Sequence, residues 1–215
     1  MAALTAYSTG TAATTVTTSD TLVTTAPASE TSHTSSVKKT TGWGELWSQG
    51  TTSAWAAAAS EPTAPTGHGF LLDATTLEGQ QILAGTWTPT VKLAASSALT
   101  ATVVVRAWVY HSGGTYTQIG TDMSAAAVAI GATAAAVAIT GVSQPLTNFN
   151  TGDKLYVEVL LDITKAGTST SGTVSLYENG GAAEQLVTPG YQAQPVTASP
   201  KSLMILQAVS RASVW

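Results

Sequence analysis

Cysteine is absent from this chain and charge is scarce: Asp, Glu, Lys and Arg make up 9% of it, against about a quarter of an average soluble domain. Without cysteine there is no disulfide, no thiolate nucleophile and no thiolate metal site, and both oxidising and reducing compartments stay open. The eight Lys and Arg are dispersed, Lys38-Lys39 is their one doublet, and the net charge is −4. Binding a phosphate backbone needs clustered positive charge, so no nucleic-acid partner is expected. No stretch approaches the roughly 18 apolar residues of a membrane-spanning helix, and Met1 to Tyr7 lack the basic start and continuous apolar core of a secretory signal. Neither a membrane partner nor signal-driven export is expected.

Chemical motifs are equally sparse. The three histidines, His33, His68 and His111, sit in Gly or Ser/Thr contexts with no second histidine close enough to share a metal ion, and read as surface or turn residues. There is no Gly-x-Ser-x-Gly elbow, no phosphate-cradling Gly-rich loop with Lys, and no His-Glu-x-x-His. Twelve carboxylates are present, and a glycosidase needs only two facing each other across a cleft. Asp153, Glu158, Asp162, Glu78 and Asp73, however, occupy strand starts, an outer strand face and turns, where solvated acids are expected. The chain therefore reads as non-enzymatic, with no cofactor and no metal.

What the sequence does contain is alternation. Leu155, Val157, Val159, Leu161 and Ile163 alternate with Lys154, Tyr156, Glu158 and Asp162, which predicts a strand with one buried and one wetter face. Val103, Val105, Ala107 and Val109 alternate in the same way with Thr102, Val104, Arg106, Trp108 and Tyr110. Neither strand is stable until its aliphatic row is buried against a second layer. Shorter extended segments are predicted at 69–73, 80–83, 86–93, 116–122 and 172–177. His111-Ser-Gly-Gly114 supplies a tight hairpin turn, and Pro89 implies an edge or a bulge. Ala-Ala-Ala-Val-Ala-Ile occurs at 125–130 and again at 134–139. Its alanines favour helix and its β-branched residues repeat with period two, so two short strands are expected, with one long helix as the alternative. The fold class is all-β: an antiparallel β-sandwich, jelly-roll-like, with extended N- and C-terminal arms.

Three regions follow: a Thr/Ser/Ala-rich arm at 1–41, the sandwich body at 42–188, and a second arm at 189–215. The first arm carries too few large apolar residues to fold alone. It is either a disordered polar tail or, through Leu22-Val23, a strand added to a sheet edge or a neighbouring subunit. In the body, Trp43 and Trp47 share one strand face while Leu46 points to the other. With Trp108, Tyr110 and Tyr116 they form the candidate interface or glycan platform, because amphipathic rings serve both purposes. The second arm gathers Leu203, Leu206, Val209 and Trp215 behind Pro195 and Pro200, and is the candidate docking arm.

The strings Thr76-Leu-Glu-Gly-Gln-Gln-Ile82, Gly85-Thr-Trp-Thr-Pro-Thr-Val91 and Gly152-Asp-Lys-Leu-Tyr-Val157 resemble those of β-sandwich domains in tailed-bacteriophage and prophage virion proteins, over about Gly67 to Tyr177. These domains are similar in architecture to jelly-roll carbohydrate-binding modules. The resemblance implies a non-catalytic virion component assembled in the host cytoplasm: a capsid decoration or cement protein, or alternatively a glycan-binding adsorption module at the tail or neck. It implies as partners the major capsid protein or other virion proteins, further copies of the chain in a homo-oligomer such as a trimer, and in the alternative a glycan. It carries no site residues.

Overall fold

The computed structural model describes residues 3–38, 41–49, 60–73, 75–165, 171–178 and 184–195. Sixteen strands run through them: β1 (Ala3–Ala12), β2 (Asp20–Val23), β3 (Thr31–Lys38), β4 (Gly42–Leu46), β5 (Phe70–Leu71), β6 (Gln80–Ile82), β7 (Gly85–Ala95) and β8 (Leu99–Tyr110). They continue with β9 (Tyr116–Gln118), β10 (Met123–Ile130), β11 (Ala135–Ala138), β12 (Val142–Gln144), β13 (Thr147–Phe149), β14 (Lys154–Lys165), β15 (Ser171–Glu178) and β16 (Gln185–Ala193). One 3-10 turn at Thr75–Leu77 interrupts them. Among the described residues no helix is long and apolar enough to cross a membrane.

The two long alternating segments pair with each other, as β8 and β14, from Lys154 opposite Tyr110 to Lys165 opposite Thr100. Their aliphatic rows, Val103 to Val109 and Leu155 to Ile163, enter one core with Trp87, Val91, Leu93, Val174, Leu176 and Leu186 from β7, β15 and β16. A cavity of about 40 Å³ is lined by Val105, Val157 and Val159 from β8 and β14 together with Val91, Leu176 and Leu186 from β7, β15 and β16, as two layers facing each other in a sandwich require. The ladder runs β10-β8-β14-β5-β2-β1-β16-β7-β15-β3 and is antiparallel except where β2 meets β5.

The Thr/Ser/Ala-rich first arm is not a tail. β1 lies between β2 and β16, and Leu4, Ala6 and Leu22 are buried in the common core. The stretch lacks the bulk to make its own core, but as the strands that join the two layers it needs only a few apolar side chains on one face. Strand addition at Leu22-Val23 thus occurs within the chain. The expected boundary at 189 is likewise crossed by β16, whose Tyr191 and Ala193 pair with β6. Leu203, Leu206, Val209 and Trp215 lie outside the described residues.

The alanine-rich stretch forms strands, and its two copies pair with different partners, β10 with β8 and β11 with β7. Pro89 is neither at an edge nor in a bulge of its own strand. It sits inside β7, opposite Leu186 on one side and at the break between β11 and β12 on the other, where its carbonyl accepts from Ile139 N at 3.0 Å. A missing N–H costs nothing where the neighbouring ladder is interrupted.

Candidate functional site

The even-numbered face of β14 was expected to be wet, and here the structure departs most from that expectation. Tyr156, Glu158 and Leu160 are 0%, 1% and 1% exposed, and Arg106, opposite Glu158 on β8, is 4% exposed. Two coverings account for this. The loop after β1 places Ala13 and Val16 against Leu71, Trp108 and Tyr156. The segment Glu61–Gly69 runs over Glu158 and is fastened at both ends: Arg106 donates to Glu61 and to the Pro62 carbonyl, and Ser48 donates to the Gly69 carbonyl.

Beneath that segment lie two carboxyl groups. Glu45 is on the outer face of β4, paired opposite Leu160, one step along from Glu158. Glu158 Oε1 accepts from Thr66 N at 2.8 Å and from the Tyr156 hydroxyl at 2.9 Å, and Oε2 accepts from Trp108 Nε1 at 3.3 Å. Tyr156 in turn accepts from Gly69 N at 2.8 Å. Glu45 Oε2 accepts the Thr66 hydroxyl, while its Oε1 is buried with no hydrogen bond of good geometry. Burial, and then the charge of Glu158, push Glu45 up to about 8. Burial also raises Glu158, although Thr66, Tyr156, Trp108 and Arg106 pull the other way. Glu158 has the donors of an ionised carboxylate and Glu45 does not, so the proton of the pair resides on Glu45 near neutrality.

Arg106 holds the neighbouring edge. Its Nε donates to Asp122 Oδ1 at 2.7 Å, and the guanidinium lies 5.9 Å from the Trp108 ring centroid. Asp73 fixes the other edge by accepting from Thr14 N and Thr15 Oγ1, both at 2.8 Å, and pairing with Lys154 at 2.8 Å. Burial alone would raise Asp73, but these donors outweigh it and hold the carboxyl well below the usual range.

Of the aromatic candidates, Trp108, Tyr110 and Tyr116 come together. Tyr116 lies edge-on to Trp108 at 6.5 Å and to Tyr110 and Tyr156 at 5.1 Å each. Burial, followed by Tyr110 and the two carboxyls, pushes the Tyr116 hydroxyl up to about 12. Trp43 is on β4, opposite Asp162 of β14, with Leu46 turned into the core, while Trp47 lies just beyond that strand and stacks on His68 at 3.8 Å. Glu45 shares the outer face of β4 with Trp43. An acid flanked at i−2 and i+2 by tryptophan marks a covered face, and that signal was available in the sequence for Glu45. For Glu158 the signal was Arg106 opposite it.

The cluster can share a proton and can hold the covering segment down. It is not a glycosidase cleft, because hydrolysis needs both carboxyls open to a sugar and a water, and here they are closed off by protein. Among the described residues no group of three or more His, Asp or Glu is placed to hold a metal ion.

No family model and no curated protein matches the chain. A solved structure described as infectious bursal disease virus, Gx strain, is similar over 86% of this chain, at 9% identity and a TM-score of 0.23. This chain spans about half of that one, 48%. A likeness so distant carries no argument about function.

Proposed function

We propose that this chain is a structural protein of a bacteriophage virion, binding the particle surface as a capsid decoration or cement subunit. The observation that carries the reading is β3. It ends the ladder path, with all eight residues, Thr31–Lys38, paired to β15. Soluble proteins blunt such an edge with charge, proline or a bulge. In β3 the sequence Thr-Ser-His-Thr-Ser-Ser-Val-Lys offers one permanent charge at its end and no proline. Among the described residues this is a nearly uncharged, polar, regular edge, which suits a strand contributed by a neighbouring subunit. The opposite end, β10, is instead broken by a bulge between Ala125 and Val128, with Ala127 at φ 54°.

Two further features support a scaffold. The Glu45–Glu158 carboxyl pair is sealed inside the molecule, and the low charge leaves a surface rich in hydroxyls and methyls, suited to close contact between subunits. The alternative, a glycan-binding module of the tail or neck, requires an open ring face, and Trp108 is only 5% exposed. In the proposed role Leu203 to Trp215 docks onto a neighbouring chain.

The test is quantitative mass spectrometry of purified particles, with re-addition of the chain to particles that lack it. The chain is expected in many copies per particle and should raise the temperature at which particles open. Absence from purified particles, together with binding on a glycan array, would overturn the proposal in favour of the alternative. Deleting residues 201–215 should weaken attachment while leaving the melting temperature of the isolated chain nearly unchanged.

A further inference from the structure

At the opposite end of β14 from Glu45, two tight turns meet. The hairpin turn after β8 is closed by His111 N donating to Thr115 O and Gly114 N donating to His111 O, both at 2.8 Å. The turn before β14 is closed by Asp153 N donating to Asn150 O at 3.0 Å, with Gly152 at φ 83°. The turns touch so closely that a Cβ on Gly152 would lie 2.9 Å from Ser112 Cβ. This contact aligns three side chains. Asp153 Oδ1 lies 2.9 Å from His111 Nδ1, and His111 Nε2 lies 2.9 Å from Thr117 Oγ1.

The hydrogen bonds fix the roles. The Asp153 side chain is 5% exposed, and its second oxygen accepts from Asn150 N at 2.9 Å and Asn150 Nδ2 at 3.2 Å. A carboxylate so held is an acceptor, so the neutral form of His111 presents Nδ1–H to it and keeps a lone pair on Nε2. The Thr117 hydroxyl then donates to Nε2, which is the arrangement that activates a hydroxyl for attack.

His111 and Thr117 also line an open depression of about 250 Å³. Its apolar wall includes Ile119, Pro145 and Leu146, and Leu146, at 47% exposure, is the one large hydrophobic side chain left exposed among the described residues. Asn148 lines the same depression. A nucleophile–base pair beside an exposed apolar wall is more than a turn needs.

We propose that this depression is an acyl-transfer site for small carboxylic esters, with Thr117 as nucleophile, His111 as general base and Asp153 as the positioning residue. The acyl chain lies on Leu146. Thr117 Oγ bonds to the ester carbonyl carbon as its proton passes to His111 Nε2, and Asn148 donates to the carbonyl oxygen as charge develops there. The carbon–oxygen bond to the alcohol breaks, and the alcohol leaves with the proton from Nε2. Water, deprotonated by the same Nε2, then cleaves the Thr117 ester, releasing the acid and returning a proton to Oγ. The site is independent of the assembly role above, and neither depends on the other.

The test uses the full chain with p-nitrophenyl acetate and p-nitrophenyl butyrate, following nitrophenolate release and mapping the acylated peptide. Acyl transfer to Thr117 is expected, with butyrate favoured over acetate. Thr117→Val and His111→Gln should each lower kcat by a factor of about 10² or more. Both residues are at the surface, so folding, checked by circular dichroism, should survive. Asp153→Asn should lower kcat with KM unchanged, a split that mere loosening of the turn would not produce. Release no faster than buffer, release unchanged in Thr117→Val, or an acyl group mapped to His111 or to a lysine would each overturn the assignment.

Discussion

Glu45 and Glu158, on neighbouring antiparallel strands, share one hydrogen-bonding residue: the Thr66 amide donates to Glu158 at 2.8 Å and the Thr66 hydroxyl donates to Glu45. The covering segment is therefore tied down by a pair that carries one negative charge when Glu45 is protonated and two when it is not.

Stability should fall as pH rises across neutrality. Glu45 titrates near 4.5 in an unfolded chain and at about 8 in the fold, so between those values the folded state holds a proton that the unfolded state has released. The contribution is fully present below the unfolded value and is lost as pH rises through about 8. Urea midpoints measured from about pH 5 to about pH 9 should decline by the equivalent of a few kcal/mol. Glu45→Gln keeps the neutral form at every pH and should flatten the decline. A variant with the full wild-type slope would assign the titration to another group.

Both faces of β14 should be intolerant of change. Val157→Asp places an unpaired carboxylate in the sandwich core and should unfold the chain, since such burial costs several kcal/mol, comparable to the whole stability of a domain. Glu158→Ala should cost about 3 kcal/mol or more, because it leaves the Thr66 amide, the Tyr156 hydroxyl and the Trp108 indole without their acceptor. Glu158→Lys should be worse still, with a second cation set opposite buried Arg106. Melting curves for the three variants decide the matter. A Glu158→Lys protein as stable as wild type would mean that the outer face is solvated after all.

The inner face of this strand was legible in the sequence, and the outer face was not, for one physical reason. Alternation of Leu155, Val157 and Val159 reports contact with a partner layer, which is local information. Burial of Glu158 depends on the segment 61–69, some ninety residues away, whose Pro and Thr content reads only as a turn, and burial of Tyr156 depends also on the loop after β1. The same limit hid the Asp153–His111–Thr117 alignment, since each residue alone is an ordinary turn or strand position. It also hid β1, whose burial comes from joining two layers rather than from its own composition.

The N-terminal segment should behave as core. β1 is hydrogen-bonded on both sides, and Leu4 and Ala6 are 3% and 0% exposed. Leu4→Asp should destabilise the isolated chain by several kcal/mol. Removal of residues 1–12 should abolish cooperative melting, because it would expose β2 and β16 together. Hydrogen exchange on the intact chain should show Thr5 to Ser8 protected like β14. Exchange there at random-coil rates would return this segment to the status of an arm.

The final prediction concerns how closely the covering segment lies on the sheet. Gly69 follows Thr66, which clasps the carboxyl pair, and precedes Phe70, whose strand pairs with β14 at Val157. A Cβ on Gly69 would sit 2.1 Å from the Val157 carbonyl oxygen and 3.0 Å from the Tyr156 hydroxyl. The first contact is with the backbone of a central strand and cannot be relieved by a rotamer change, so either the segment lifts or the strand bends. Lifting breaks the Gly69 N–H bond to Tyr156 and loosens Thr66 from both carboxyls. Gly69→Ala should therefore cost on the order of 3 kcal/mol, well beyond the few tenths usual for a surface substitution. It should also lower the Glu45 titration toward the ordinary carboxylate range, because water gains access to the pair. Gly113→Ala, in the hairpin turn with nothing within 4 Å of its added Cβ, is the matched control and should leave both quantities near wild type. Equal melting temperatures for the two variants would show that the segment does not press on the sheet as closely as the Gly69 contact requires.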